Sequence, residues 1–462
     1  MKNNIREQRA ITLVALIITI IVLLILAIVS INLVMNGGII DKSKHAVDKY
    51  SDEEIQEQIK LAYSEWQMGQ YSGVTEDAPT FVKNKLNSIY GAGTVTNVTA
   101  ENGVLTVELA NGKTYTYNVA TGVASKVKTV AEYPEATPGQ ANNDENTKYT
   151  SDNKTAVIPK GYTLDATQNS IDNGLVISKD GNEWVWIPVA NVTDLYIENT
   201  TEIPWTMYET SGENAVVSRY ASKSKILSGQ TRTTPGDTSA YREPDVLNND
   251  SYDKNATNLS NAGLGSNIGE AATKLRDDYK AMIDSVKKNG GFYVGRYELG
   301  GSVASPKVQY QQTVLTDTNW YNLYKACKEI DNTSTSVETR MIWGCQWDQV
   351  CNFIKTYKEG TETKTRDITN STSYGNYSNS TVSGHGSKQV TGYSDSWKTN
   401  NIYDLAGNCW EWTQEAYSTF GRAVRGGSYY GDGDGGPVTG RSSGIPTNTG
   451  NNVSSRPQLY VK

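Results

Sequence analysis

The feature that most constrains this chain is a long apolar segment near its first residue. No charged side chain occurs from Ala10 to Ile40. The span 11–36 exceeds the ~20 residues that a helix needs to cross a bilayer, and it is too long for the apolar region of a signal peptide. The sequence therefore predicts a single-pass membrane protein. The positive-inside rule places the amino terminus in the cytoplasm and the bulk of the chain outside, because basic side chains precede the segment: Lys2, Arg6 and Arg9.

Residues 1–10, a short basic leader, resemble the leader of a type IV prepilin. Such leaders are cut on the cytoplasmic side just before the apolar stretch, so the resemblance implies processing between Ala10 and Ile11. Ala15 stands where most pilins carry a glutamate that pairs with the amino terminus of a neighbouring subunit. An intramembrane carboxylate is costly without such a partner. Two alternatives remain open, a processed pilin-like subunit and an uncleaved membrane anchor.

Residues 37–70 predict an amphipathic stalk helix. Ser51 to Glu54 matches a capping box, with acidic side chains at the positive end of a new helix. Apolar residues follow at helical spacing: Ile55, Ile59, Ala62 and Trp66.

Residues 71–124 predict a small α+β module that acts as a spacer, as in pilin heads. We expect a short helix over Pro79 to Tyr90, followed by a three-stranded meander whose turns contain Asn-Gly pairs. Residues 125–155 are rich in Asn, Asp, Lys and Thr, and they predict a flexible linker. The strands are expected at 94–99, 104–109 and 114–119.

The remaining residues, 156–462, end in three spaced signatures. The first contains Gly407-Asn-Cys-Trp-Glu-Trp412, the second is Arg425-Gly-Gly-Ser428, and the third runs from Ser455 to Lys462. This order resembles the formylglycine-generating-enzyme (sulfatase-modifying-factor) superfamily, whose core is a C-type-lectin-like fold. The expected fold class is thus α+β, with a pilin-like membrane helix, a small α+β module and a carboxyl-terminal lectin-like domain. Helical periodicity predicts helices over 270–288, 318–330 and 345–357.

Long loops are predicted elsewhere in the same domain. The segments 199–265 and 359–398 are rich in Ser, Thr, Asn, Gly and Tyr and show weak periodicity. Long loops on a compact scaffold are usually functional or mobile.

The enzymes of this family use a cysteine pair between the second and third signatures. The interval from Tyr429 to Ser454 contains no cysteine, so it offers no thiolate nucleophile. We therefore expect no enzyme and no catalytic cofactor, with formylglycine-type oxidation as a disfavoured alternative. The cysteines that do occur are expected to be buried thiols, or to include one disulfide: Cys327, Cys345, Cys351 and Cys409.

The family also holds a structural calcium ion at the Gly-Asn-x-Trp-Glu-Trp segment. The resemblance assigns Asn408 and Glu411 to such a site, together with backbone carbonyls, because calcium prefers several oxygen ligands. The alternative is that these two side chains only form hydrogen bonds within a loop. In an extended chain alternate residues face opposite sides, so Trp410 and Trp412 should share one face and Glu411 should point to the other.

The segment 429–453 has the Tyr, Ser, Gly, Asn and Asp composition of recognition surfaces, although loops without a ligand share it. Lectin-like domains of this kind serve as variable proteins of diversity-generating retroelements, which mutate adenine-bearing codons near the carboxyl end. The resemblance implies that such residues are diversified contacts. The predicted ligand-binding residues are Tyr429, Tyr430, Asp432, Asp434, Thr439, Arg441, Ser442, Ser443, Thr447, Asn448, Asn451 and Asn452.

The charge pattern limits the partners. The formal net charge is −7 and the basic residues are scattered, so the clustered cationic surface that nucleic-acid binding requires is missing from the sequence. We expect a surface-anchored, adhesin-like protein that binds an external protein or glycan. The alternative is a structural minor pilin or pseudopilin, with pilus subunits as its partners and the pilus as its location.

Overall fold

The computed structural model describes residues 50–192, 195–198, 206–207, 216–217, 220–222, 255–418 and 421–462. The predicted leader (1–10), its cleavage site between Ala10 and Ile11, and the predicted membrane helix (11–36) lie outside these ranges. Within them, no helix combines the length and hydropathy that crossing a bilayer requires. The architecture is mixed α+β with more sheet than helix, and the chain divides into two units, Met1–Lys128 and Thr129–Lys462.

The first unit packs two helices on a four-stranded antiparallel sheet. The first helix begins after Ser51, whose hydroxyl accepts a hydrogen bond from the Glu54 N–H at 3.1 Å, so the Ser51 half of the predicted capping box is present. The core of the first unit includes Ile59 and Val82, both fully buried. A fourth strand follows the three that the sequence predicts. The elements are α1 (Asp52–Gln70), α2 (Ala78–Tyr90), β1 (Val95–Glu101), β2 (Val104–Leu109), β3 (Thr114–Asn118) and β4 (Val123–Lys126).

The second unit contains four helices and many short strands among its described residues. The helices are α3 (Ala256–Asn261), α4 (Ile268–Asn289), α5 (Trp320–Glu329) and α6 (Gly344–Ile354). The strands are β5 (Thr147–Ser151), β6 (Lys154–Ile158), β7 (Thr163–Leu164), β8 (Val176–Lys179), β9 (Asn182–Pro188), β10 (Tyr196–Glu198), β11 (Thr206–Met207), β12 (Val216–Val217), β13 (Tyr220–Ser222), β14 (Gly291–Gly295), β15 (Gly300–Ser302), β16 (Ser305–Lys307), β17 (Val337–Met341), β18 (Thr356–Glu359), β19 (Glu362–Thr365), β20 (Lys398–Thr399), β21 (Ile402–Tyr403), β22 (Trp410–Ser418), β23 (Gly421–Arg425), β24 (Arg441–Gly444), β25 (Val453–Ser455) and β26 (Pro457–Val461).

The stretch whose composition predicts a linker instead contributes to the second unit from Thr129 onward. Strands β5 and β6 form an antiparallel hairpin there, and Tyr133 is buried in a core cluster. The polar residues that suggested flexibility form turns. For example, the side-chain oxygen of Asn142 (Oδ1) accepts hydrogen bonds from the N–H groups of Asp144 and Glu145. Asn and Asp favour turns as readily as they favour disorder.

A six-stranded sheet forms the centre of the second unit, in the order β17-β26-β14-β9-β8-β7. Strand β14 is buried along its whole length because core clusters cover both faces of the sheet. Phe292 and Val294 face a cluster that contains residues of α4 and α6, while Tyr293 faces the opposite cluster. This alternation is the period of two that an extended chain imposes.

A four-stranded sheet in the order β24-β23-β22-β25 carries the carboxyl-terminal signatures. Strand β22 pairs antiparallel with β23 and parallel with β25. A third core cluster contains Trp320 of α5 together with Trp410, Trp412 and Val424 of this sheet. The predicted helices over 270–288, 318–330 and 345–357 correspond to α4, α5 and α6, with ends displaced by a few residues.

Two positions on α1 test the packing of the first unit. Ile59 is fully buried and Leu61 is 50% exposed. We expect Ile59→Ala to lower the free energy of unfolding by about 2–5 kcal/mol, because it removes buried methyl groups and leaves a cavity. Leu61→Ala, the control, should change it by about 0.5 kcal/mol or less. Hydrogen exchange of the α1 amides measures both, and equal effects would contradict the packing described.

Candidate functional site

The Trp-Glu-Trp segment of β22 has the alternation that the sequence predicts. Trp410 and Trp412 pack in the third core cluster, and Glu411 points away from it to meet Arg456. The Arg456 Nε donates to both Glu411 oxygens at 3.1 and 3.0 Å, and its Nη2 donates to Oε1 at 2.6 Å. Both side chains are at most 1% exposed, so this is a bidentate ion pair shielded from water.

The geometry of Asn408 and Glu411 does not fit the expected calcium site. The Glu411 oxygens are held by Arg456, and the Asn408 Oδ1 accepts hydrogen bonds from the Asn376 Nδ2 and the Gln389 N–H, both at 3.0 Å. Arg456 supplies the positive charge that a calcium ion would bring. No described part of the chain groups three or more His, Cys, Asp or Glu side chains in a way that could hold a metal ion. The alternative, in which these residues form hydrogen bonds within the scaffold, fits the structure.

Two further buried ion pairs lie behind the strands of the same sheet. Arg425 donates to Asp348 at 2.6 Å, and Arg441 donates twice to Glu415 Oε1, at 2.9 and 2.6 Å. All four side chains are at most 5% exposed. Arg441 is therefore part of the core, which corrects its assignment as a ligand contact.

Thr439 is the second predicted contact that requires correction. Its side chain is fully buried, and its hydroxyl donates to the Ile368 carbonyl at 3.2 Å. Neither Thr439 nor Arg441 can reach an external ligand in this structure. Composition alone does not distinguish such residues from exposed neighbours in the same segment.

The predicted residues Tyr429, Tyr430 and Asn452 lie together, and we call them the tyrosine surface. The two rings meet edge to face with 5.5 Å between centroids, and Tyr430 is 62% exposed. The Tyr429 N–H donates to the Asn408 carbonyl at 2.9 Å, and the Asn452 Nδ2 donates to the Tyr430 hydroxyl at 3.1 Å. The buried Asn408 thus fixes the backbone at Tyr429, while the two rings and the Asn452 amide hold one another.

Asp432 and Asp434 follow in the same loop and are exposed. The Ser378 hydroxyl donates to Asp432 at 2.8 Å, and the Asn379 Nδ2 donates to Asp434 at 2.9 Å. The Gly433 N–H donates in turn to Asn379 Oδ1 at 2.8 Å. Ser378 and Asn379 are not among the predicted contacts, although their segment has the same polar composition as the loop that they hold.

The other predicted contacts lie elsewhere on the second unit. Ser442 and Ser443 belong to β24, whereas Asn452 directly precedes β25, and these two strands are opposite edges of the four-stranded sheet. Three strand spacings separate the edges, about 14 Å. Ser443, Asn448 and Asn451 are exposed, and Ser442 and Thr447 are partly buried. The predicted set therefore does not form one continuous patch with the tyrosine surface.

A cluster of buried carboxyl groups surrounds the ion pair beneath the tyrosine surface. Glu298 accepts hydrogen bonds from the Asn408 Nδ2 at 2.5 Å and the Cys409 N–H at 3.0 Å. Asp404 accepts one from the Gly392 N–H at 2.6 Å. Burial raises the pKa of Asp404 from its ordinary value of 3.8 to about 6. Burial also raises the pKa of Glu298 well above its usual range, and the charges of Asp404 and Glu411 raise it further.

The comparisons with known proteins give no family. No family model and no curated protein matches the sequence. Among solved structures, the chain is similar to PvdO from Pseudomonas aeruginosa, at 13% identity over 37% of this chain and 81% of that one, with a TM-score of 0.28. It is also similar to Treponema denticola variable protein 1, at 15% identity over 62% of this chain and 98% of that one, with a TM-score of 0.24. Similarity at this level establishes neither family nor function.

Gly407 should be essential to the frame that holds Asn408. Its φ is +79°, and an added Cβ would lie 2.1 Å from the Asn376 carbonyl oxygen. We expect Gly407→Ala to destabilise the second unit by several kcal/mol through strain and collision, on the order of 3 kcal/mol or more. Gly360→Ala is the matched control, because Gly360 also has a positive φ but nothing within 4 Å of the added Cβ. Its cost should be about 1 kcal/mol. Urea denaturation measures both, and similar losses would contradict the close approach.

Asp404 should make stability depend on pH. A carboxyl group whose pKa is raised in the folded state holds its proton more tightly there, so its contribution is full below the unfolded value and is lost as pH rises through about 6. The loss is about 3 kcal/mol at most. We expect Asp404→Asn to reduce the fall in unfolding free energy between pH 4 and pH 7. The exposed Asp144→Asn control should keep the wild-type slope, and an unchanged slope in Asp404→Asn would refute the assignment.

Proposed function

We propose that this chain is a bacterial cell-surface binding protein whose second unit presents the tyrosine surface to an external protein or glycan. One observation carries the proposal: Tyr430 is 62% exposed, although its ring packs on Tyr429, whose backbone N–H is held by the carbonyl of the buried Asn408. Tyrosine offers a large contact area at a low cost in side-chain entropy, and such rings are enriched among the residues that dominate binding energies. Fixing the rings in advance lowers the cost of binding further.

The proposed activity is binding without chemistry. All four cysteines are buried and none forms a disulfide. Burial raises the pKa of the Cys327 thiol to about 12, and it raises that of Cys409 well above its usual range. A catalytic thiolate needs the opposite, a lowered pKa and access to substrate. These environments support a non-enzymatic scaffold, which we propose to be C-type-lectin-like.

The proposal keeps the membrane anchor of residues 11–36, with the amino terminus in the cytoplasm and the second unit outside the cell. Its support is the apolar, uncharged sequence of that segment. A structural role in a pilus is the competing hypothesis, and it needs no exposed contact residue in the second unit.

Substitution of the tyrosine surface distinguishes these two roles. Cells that display the full chain are tested for adhesion to glycan and protein arrays, with Tyr430→Ala, Tyr429→Ala and the control Tyr310→Ala, a residue 50% exposed elsewhere on the second unit. We expect adhesion to fall about tenfold or more in the Tyr430 variant, which corresponds to about 1.4 kcal/mol or more. The control should bind like the wild type. Unchanged adhesion in both tyrosine variants would favour the structural pilin role.

The proposal includes diversification of this segment by a retroelement, and this part of it predicts specific features in the DNA near the gene. We expect a nearby reverse transcriptase and a template repeat that matches the codons for residues 429–452 except at adenines. Variation among related loci should concentrate on exposed positions such as Tyr430 and Asn451. It should spare Thr439 and Arg441, because the fold buries both. Genome sequencing decides this, and the absence of a template repeat would refute it.

A further inference from the structure

The second unit contains a cavity of about 560 Å³ to which the segment 429–453 contributes no lining residue. Its walls come from the start of β6, the end of β9, helix α6 and the β18–β19 hairpin. The volume falls in the range of small-molecule sites, about 300–1,000 Å³. The cavity is therefore large enough for one or two sugar-sized groups.

Helix α6 lines the cavity with two amide side chains, those of Gln349 and Asn352. Gln349, Asn352 and Phe353 share one face of the helix, three and four residues apart, while Trp347 and Cys351 are buried on the other face. No described residue forms a hydrogen bond with the side chain of Gln349 or Asn352. Each amide offers two donors and an acceptor at adjacent atoms.

The hairpin that carries Lys358 is held rigidly from its other face, where the Tyr357 ring lies because neighbouring residues of a strand alternate. The Arg366 guanidinium lies over the Tyr357 ring, 4.6 Å from its centroid. Arg366 is fixed in turn by hydrogen bonds to the Ile354 carbonyl and to Asn400 Oδ1, the latter at 3.0 Å. The Asn400 Nδ2 donates to the Thr356 carbonyl at 2.9 Å. These contacts therefore fix the strand that carries Lys358 before any ligand arrives, which lowers the cost of binding.

The cavity also holds a cation with spare hydrogen-bonding capacity. The Lys358 Nζ donates to the Thr363 hydroxyl at 2.6 Å, and no carboxylate of the described residues forms an ion pair with it. An ammonium has three donors, so two remain. The second lysine at this cavity, Lys154, is instead neutralised by Asp172 at 2.5 Å. Lys358 is thus the cation suited to an incoming anion.

We propose that this cavity binds a saccharide that carries a carboxylate, such as a hexuronic or sialic acid residue. Sugar hydroxyls donate and accept on neighbouring carbons, which matches the paired functions of the Gln349 and Asn352 amides. The apolar C–H face of a sugar ring packs on an aromatic ring such as that of Phe353. Lys358 binds the carboxylate through a charge-assisted hydrogen bond. This site is separate from the tyrosine surface and does not depend on its function.

Titration of the full chain with glucuronic acid and with glucose, followed by ligand-observed NMR, tests the proposal. We expect saturable binding of glucuronic acid in the millimolar range, about fivefold or more tighter than glucose. The variant Asn352→Ala, exposed on α6, should weaken glucuronic acid binding about tenfold, as should Gln349→Ala. Lys358→Met should remove the preference for glucuronic acid over glucose, because it retains the apolar stem and loses the charge.

Several results would overturn the proposal. They are no saturable binding of glucuronic acid or N-acetylneuraminic acid up to tens of millimolar, equal binding of glucose, or binding that the α6 variants leave unchanged. Tyr430→Ala separates this site from the tyrosine surface. It should leave the titration unaltered even if it abolishes adhesion. Loss of acidic-sugar binding in that variant would show that the sugar binds at the tyrosine surface and not in the cavity.

Discussion

The guanidinium of Arg456 joins segments that are far apart in the chain, and the arrangement of the second unit depends on it. It pairs with Glu411 of β22 and donates to the carbonyls of Gly295 and Tyr403 at 2.9 Å. Arg456 itself lies between β25 and β26, so it connects the four-stranded and six-stranded sheets. A buried ion pair adds little net stability, but removal of one partner leaves a charge without compensation and costs about 3–5 kcal/mol. The pair therefore specifies the arrangement more than it stabilises it.

Local patterns predicted much of the fold because their causes are local. The spacing of apolar residues gave α4, α5 and α6, and strand alternation placed Trp410 and Trp412 opposite Glu411. The partners of Asn408 and Glu411, which the resemblance assigned to calcium, are not set locally. Resemblance indicated which residues belong to the motif. It could not indicate that Arg456, 45 residues away, binds the carboxylate of Glu411. Partners at such separations are set by tertiary packing, which a single sequence does not record.

The candidate site was recognisable only in part, for the same reason. Composition placed Tyr429, Tyr430 and Asn452 in one polar segment, and the folded chain brings these three together. It did not separate them from Thr439 and Arg441, because burial depends on which strand a residue enters and what packs behind it. The partners of the loop, Ser378 and Asn379, come from another polar segment whose role only the folded chain defines.

The hydrogen bond from the Gly433 N–H to the Asn379 side chain bears on how this surface can evolve. An added Cβ at Gly433 would lie 2.9 Å from both the Thr372 nitrogen and the Tyr377 ring, so the backbone of the loop has little room to shift. The side chain of Tyr430, 62% exposed, meets no such backbone contact. The loop is thus free to exchange its side chains but not its length. Homologues of this protein should therefore differ in the residue types of the loop but agree in its length.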